Sequence, residues 1–231
     1  MKLLIWDFDG TLAYREGQWS GALLDVLNTH VPSHAITRDQ LRPYLRHGFP
    51  WHSPDQPQEP RIAADVWWAR LMPGFVTAFT ANGLPSDHAV TLAASVRAAY
   101  CNPCAWATYP ETIATLTALV HAGWTHVILS NHVPELPDLV RHLGVDRFIT
   151  TIFNSAVTGY EKPHPAAFQH ILSTLPRIEC VWMVGDNPVA DIAGAAAVGI
   201  PGILVRKTDS TVAYCCDNLT QISTIITHSA L

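Results

Sequence analysis

The chain has 231 residues, with 19 acids against 14 Lys and Arg for a net charge of −5, and 48% of it is hydrophobic while only 14% is charged. That charged share lies well below the roughly 25% of an average soluble domain, so the composition excludes a disordered chain and predicts a sizeable core. No basic excess suits a phosphate backbone, which sets nucleic acid aside as a partner, and no apolar run nears the roughly 20 residues that cross a bilayer.

Leu3-Leu4-Ile5-Trp6 is the first apolar run, too short for the core of a signal peptide. It is continuous rather than alternating, as in a strand buried on both faces of a parallel sheet. Asp7-Phe8-Asp9-Gly10-Thr11 follows it directly. Residues 15–105 then carry no convincing strand. Their spacing predicts helices over Trp19–Thr29, Thr37–His47, Ile62–Thr80 (with a break at Pro73-Gly74) and Ser86–Tyr100. A loop from Gly48 to Pro60, with four prolines, separates the second helix from the third.

From about residue 106 strand and helix signals alternate. His126-Val127-Ile128-Leu129, Cys180–Val184 and Ile203-Leu204-Val205 read as buried strands. Glu111–Ala122, Pro165–Leu175 and Val189–Val198 read as helices, the first begun by Pro110 and the last stopped by Gly199. The expected fold class is α/β: a Rossmann-like parallel sheet with helices on both faces, built from 1–14 and 106–231. The first strand must rejoin that sheet, so residues 15–105 are expected to be an inserted all-helical cap domain.

Residues two apart in extended chain point to one side, so Asp7 and Asp9 can face one cavity at the carboxyl edge of the sheet. Asp186 follows another buried strand, and the carboxyl ends of parallel strands converge on one crevice. Three carboxylates there repel unless one is protonated or a cation sits among them. Oxygen ligands with room for water suit Mg²⁺. Ser130-Asn131 closes the strand ending at Leu129 and offers a hydroxyl and backbone N–H groups. Lys162, one of only three lysines, opens the helix near Pro165 and supplies a fixed positive charge for a phosphate.

Asp7-Phe8-Asp9-Gly10-Thr11, Ser130-Asn131, Lys162-Pro163 and Gly185-Asp186 with Asp191, in this order, resemble the four motifs of the haloacid dehalogenase-like hydrolase superfamily. The helical insertion resembles the cap of its phosphoglycolate-phosphatase and β-phosphoglucomutase branch. The resemblance implies that Asp7 is a nucleophile forming an aspartyl-phosphate. It implies that Asp9 protonates the leaving oxygen and then activates water. Thr11, Ser130, Asn131 and Lys162 would bind the phosphoryl group. Asp7, the carbonyl of Asp9 and Asp186 would ligate Mg²⁺, and Asp191 would orient Lys162 or metal waters. Asp191 also admits a second reading, as a first-turn carboxylate favoured by its helix dipole.

The function expected is that of a Mg²⁺-dependent phosphatase of a small phosphorylated metabolite. A phosphomutase, or a non-catalytic regulatory member of the family, is the alternative. A dehalogenase needs neither a metal nor the acid at Asp9. A phosphonate hydrolase needs a cap lysine, and residues 12–105 hold none. Substrate choice is expected in the cap loop around His47, Trp51 and His52, which reads either as a substrate-reading loop or as aromatic packing. Arg38, Arg42 and Arg46 form either an anion-reading stripe or a solvated basic face. Five cysteines, with a lone C-x-x-C at Cys101 and Cys104, read as reduced thiols. The protein is expected to be cytoplasmic and to work as a monomer or homodimer, with no membrane or nucleic-acid partner.

Overall fold

The apolar runs form the interior of a six-stranded parallel sheet. The structure, a computed structural model, describes residues 1–175 and 177–228. Its strands in chain order are β1 (Lys2–Trp6), β2 (Ala13–Arg15), β3 (Trp106–Thr108), β4 (Trp124–Ser130), β5 (Ile149–Asn154), β6 (Cys180–Gly185), β7 (Gly202–Val205) and β8 (Cys215–Cys216). The large sheet runs β5-β4-β1-β6-β7-β8, while β2 and β3 pair with each other. The expected α/β class with a Rossmann-like parallel sheet is the fold observed.

Central position explains the continuous apolar character of β1, which lies between β4 and β6 with Trp6 opposite Ile128 and Val184. Leu3, Ile5, Val127, Leu129 and Met183 share one buried cluster with Phe168 and Ile171 of the helix Pro165–Thr174. Strand alternation sends Trp6 to the other face. There its indole N–H donates to Nδ1 of the fully buried His126 at 2.8 Å. Burial lowers that imidazole to about 4, so it is a neutral acceptor at pH 7.

Two compact units emerge. The first joins Met1–Tyr14 and Pro54–Arg61 to the chain from Ala107 onward; the second is Arg15–Ser53 with Ile62–Trp106. Within the expected segment 106–231, residues 176 and 229–231 lie outside the described residues. Pro54–Arg61, expected inside the insertion, instead groups with the first unit. Gln58 N–H donates to the Gly159 carbonyl at 2.7 Å and Arg61 N–H to that of Val157 at 3.0 Å. A Cβ on Gly159 would come within 2.4 Å of the Gln58 carbonyl oxygen, so this approach requires glycine.

The second unit is helical, with Ser86–Tyr100 as expected and Gln18–His30 one residue longer at each end than its expectation. The single helix expected over Thr37–His47 is instead an α-turn, Arg38–Leu41, followed by a tighter 3₁₀ turn, Arg42–Leu45. Pro43 lacks an N–H and cannot continue an α-helix in mid-course. The predicted break in Ile62–Thr80 falls before Met72, because Pro73 fits the first turn of a new helix, Met72–Thr80. Aromatic rings hold this unit together. Trp19 stacks on Tyr100 at 3.9 Å between centroids and contacts Phe49, Trp51, Trp68 and Phe75.

Among the described residues no helix is long and apolar enough to cross a membrane.

Candidate active site

The register of the sheet brings the polar residues to one edge. Trp6 ends β1 opposite Ile128 and Val184, so Asp7 emerges level with the ends of β4 and β6, where Ser130 is the last residue of β4 and Asp186 the first after β6. Asp7 N–H continues the ladder by donating to the Val184 carbonyl at 2.9 Å. A tight turn comes next: the Phe8 carbonyl accepts from the N–H groups of Thr11, Leu12 and Ala13. Gly10 makes it with φ +85°, and a Cβ there would lie 2.8 Å from the Asp186 carboxylate.

Lys162 is the hub. Its ammonium, 3% exposed, donates to Asp7 Oδ1 at 2.7 Å and to Asp191 Oδ1 at 2.6 Å. Burial works against the charge of Lys162, but Asp191 and Asp7 outweigh it and hold its pKa above the ordinary lysine value. The Ser130 hydroxyl also donates to Asp7 Oδ1, at 3.1 Å. Hydrogen bonds to Asp7 from the described residues thus converge on one oxygen, and Oδ2 takes none. Asp186, across the mouth, accepts from Lys207 Nζ at 2.8 Å on its Oδ2. Burial first, and then the charge of Asp7, push the Asp186 carboxyl upward.

Asp191 lies in a wide π-helical turn, Pro188–Ala193, rather than in the plain helix expected over Val189–Val198. It is fully buried, and its Oδ2 accepts from Asn187 N–H at 2.9 Å. A Cβ on Gly185 would sit 2.1 Å from that same oxygen, so Asp191 occupies the space a side chain would need.

Asn131 acts through its side chain as well as its position. Its amide donates to the Lys162 carbonyl at 2.8 Å, and its Oδ1 accepts from Lys162 N–H at 2.7 Å. This reciprocal pair fixes the backbone of Lys162. Thr11 is fully buried, and its hydroxyl has no hydrogen-bond partner among the described residues. Glu161, beside the hub, is also buried, and burial raises it to about 7.

Carboxylate oxygens of Asp7, Asp186 and Asp191 all lie within 4.8 Å of one another. Hard oxygen donors with excess negative charge fit a small divalent cation. Both oxygens of Asp191 are committed, to Lys162 and to Asn187 N–H. Asp7 and Asp186 therefore keep carboxylate oxygens that could face a cation.

Two groups escape the sequence reading. Lys207 follows β7 at the same edge, and as one of three lysines it carried a signal that could have found it. Arg206, before it, gave none: its role depends on contacts with Thr11, Tyr109 and Glu111.

In the second unit the candidate loop divides. Phe49 is buried, with Trp51 stacked on it at 4.8 Å and 16°. His47 and His52 are exposed, and His52 Nδ1 accepts from Phe49 N–H at 3.4 Å. A cavity is lined by Tyr44, His47, Phe49, Leu71 and Phe75. Of the arginine stripe, Arg38 pairs with Glu16 and Arg42 with Asp39.

The model of the haloacid dehalogenase-like hydrolase family matches residues 1–199. The human haloacid dehalogenase-like hydrolase domain-containing protein 3 is 26% identical over 213 residues, spanning 89% of this chain and 82% of its own. The glyceraldehyde 3-phosphate phosphatase of Methanothermobacter thermautotrophicus is 31% identical over 102 residues, 43% of this chain and 45% of its own. Among solved structures, the magnesium-bound HAD-hydrolase YfnB of Bacillus subtilis superposes with a TM-score of 0.78 at 19% identity, covering 98% of each chain.

Proposed function

Because the chain belongs to the haloacid dehalogenase-like hydrolases and is a hydrolase, we propose that it is a Mg²⁺-dependent phosphatase of small phosphorylated metabolites. One observation carries the proposal. Asp7, 7% exposed at the end of the central strand, is held through Oδ1 by Lys162 and Ser130, with Oδ2 outside that hydrogen-bonding. A carboxylate so oriented, beside a fixed ammonium, suits attack on a phosphoryl group. The phosphatase relative adds support from its name.

In this reading Asp7 attacks phosphorus, and the bond from phosphorus to the leaving oxygen breaks. Asp9 gives that oxygen a proton, then takes one from the water that attacks the aspartyl-phosphate. That second attack breaks the bond from phosphorus to Asp7 and releases inorganic phosphate. Lys162, Ser130, Thr11 and the Asn131 segment hold the phosphoryl oxygens, and Asp191 keeps Lys162 in place. Asp7, Asp186 and the Asp9 carbonyl would hold Mg²⁺, which when bound neutralises charge on the phosphoryl oxygens. The loop bearing His47, Trp51 and His52 reads the rest of the substrate. A phosphatase of this kind works in the cytoplasm on small molecules.

A panel of phosphorylated metabolites tests this. Phosphate release with Mg²⁺, lost in EDTA and restored by Mg²⁺, is the expected outcome. Full release by metal-free enzyme overturns the metal role, and release from no phosphomonoester overturns the activity.

A further inference from the structure

Arg206 combines three features that its sequence neighbours do not. Its backbone is left-handed, with φ +63°, a conformation that a residue with a long side chain adopts only when its surroundings impose it. Its N–H donates to the Cys216 carbonyl at 2.8 Å, holding the bend after β7. Its guanidinium then reaches back across the edge of the sheet. One nitrogen donates to the Thr11 carbonyl at 3.0 Å, and the other pairs with Glu111 at 2.8 Å. The plane between them lies 3.3 Å from the centroid of the Tyr109 ring.

Thr11 is two residues past Asp9, in the turn closed by the Phe8 carbonyl that also contains Asp9. The neighbouring Leu12 carbonyl of that turn is held separately, by the Thr112 hydroxyl at 2.7 Å and by Tyr109 N–H at 3.3 Å. Arg206 and the Tyr109–Thr112 segment therefore grip consecutive carbonyls of one turn from two sides. Arg206 and Glu111 are both mostly buried, so the pair is shielded from screening by solvent. The phenol of Tyr109 is pushed up by burial, against the opposing charge of Arg206.

We infer that Arg206 is a positioning residue for the acid at Asp9: by holding the Thr11 carbonyl against Glu111 and Tyr109, it sets where Asp9 meets the leaving oxygen. This rests on the phosphatase reading. Displacing an acid costs most where the leaving oxygen needs its proton. Its mark is thus dependence on the leaving group.

The test compares an alkyl phosphate, which needs protonation, with p-nitrophenyl phosphate, which does not. Arg206→Met is expected to lower kcat about 30-fold for the alkyl ester and less than about threefold for the nitrophenyl ester, with KM little changed. Glu111→Gln, which frees the guanidinium without removing it, is expected to act in the same direction and less strongly. In an Asp9→Asn background the effect of Arg206→Met should vanish. Equal loss for both esters, or an undiminished loss without Asp9, overturns the inference in favour of a purely structural role. If Arg206→Met does not fold, Glu111→Gln carries the comparison, and equal loss there overturns it too. A wild-type enzyme that releases no phosphate from either ester fails the phosphatase reading instead, before any variant is compared.

Discussion

The two units of this chain are held by different physics. In the first, the carboxyl edge of the sheet is an array of polar groups, each fixed by a named bond: Lys162 to Asp7 and Asp191, Asn131 to the Lys162 backbone, Lys207 to Asp186. In the second, aromatic faces do the holding, with Trp19 stacked on Tyr100 and touching four other rings. Directional bonds in a buried setting specify one arrangement, since an unpaired group costs more than a bond returns. Aromatic packing tolerates substitution of similar volume. The first unit is thus the less tolerant of a lost partner, and the second the more tolerant of repacking.

The largest expected effect breaks the first unit at its proposed nucleophile. Asp7→Asn keeps the shape and the partners of the side chain but replaces a carboxylate with a very poor nucleophile. Turnover, followed as phosphate release, should fall below about a hundredth of wild type, with the melting temperature retained. A higher residual rate would remove the covalent intermediate from the account.

Next comes a substitution that touches no reacting atom. Gly185→Ala places a Cβ where Asp191 Oδ2 now lies, 2.1 Å away. Asp191 must shift and carry Lys162 with it, because the two are joined at 2.6 Å. Overpacking of this kind costs about 1–3 kcal/mol, read as a lowered denaturation midpoint. The displaced ammonium should lower kcat by about 30-fold. Unchanged stability and rate would mean that the polar array has more slack than its distances indicate.

How much of this was legible beforehand follows the same division. β1, β4, β6 and β7 were readable as continuous apolar runs because neighbours cover them on both sides. β5 lies at the edge, and its Ile-Thr-Thr-Ile-Phe-Asn mixes hydroxyls with apolar groups, so no run stood out. β8 has only two residues, too few for any period. Asp7, Asp186 and Ser130 were legible because short motifs at strand ends must converge on one crevice, and Lys162 because the chain has only three lysines. The contacts of Arg206 were not, since they join residues 195 positions apart through a left-handed bend. The π-helical turn around Asp191 was hidden too, as nothing in Pro-Val-Ala-Asp-Ile-Ala departs from an ordinary helical pattern. In the second unit Gln18–His30 and Ser86–Tyr100 were legible as helices, while Trp19 as the centre of the aromatic cluster was not, since a ring gives no sign of which others it will meet.

The smallest expected effect concerns the second unit and sharpens the contrast. The loop from His47 to His52 has a packed part and an exposed part. Phe49 is its anchor, buried among rings, whereas His47 and His52 remain exposed, and Trp51 is half-buried with one face on Phe49. The exposed imidazole of His47 can meet a substrate at little cost to the fold, because surface changes away from packed features stay within about 0.5 kcal/mol, whereas His52 also accepts from Phe49 N–H. If this loop reads the part of the substrate beyond the phosphoryl group, His52→Ala should change the ratio of kcat/KM between two metabolites about tenfold, roughly 1.4 kcal/mol of differential transition-state binding. Trp51→Ala should do the same with some loss of stability, since its stacking is removed as well. p-Nitrophenyl phosphate, with little beyond its phosphoryl group for a loop to recognise, should change much less in both. Were all three substrates to lose the same factor, the loop would belong with the aromatic packing, and selectivity would have to come from the polar edge of the sheet.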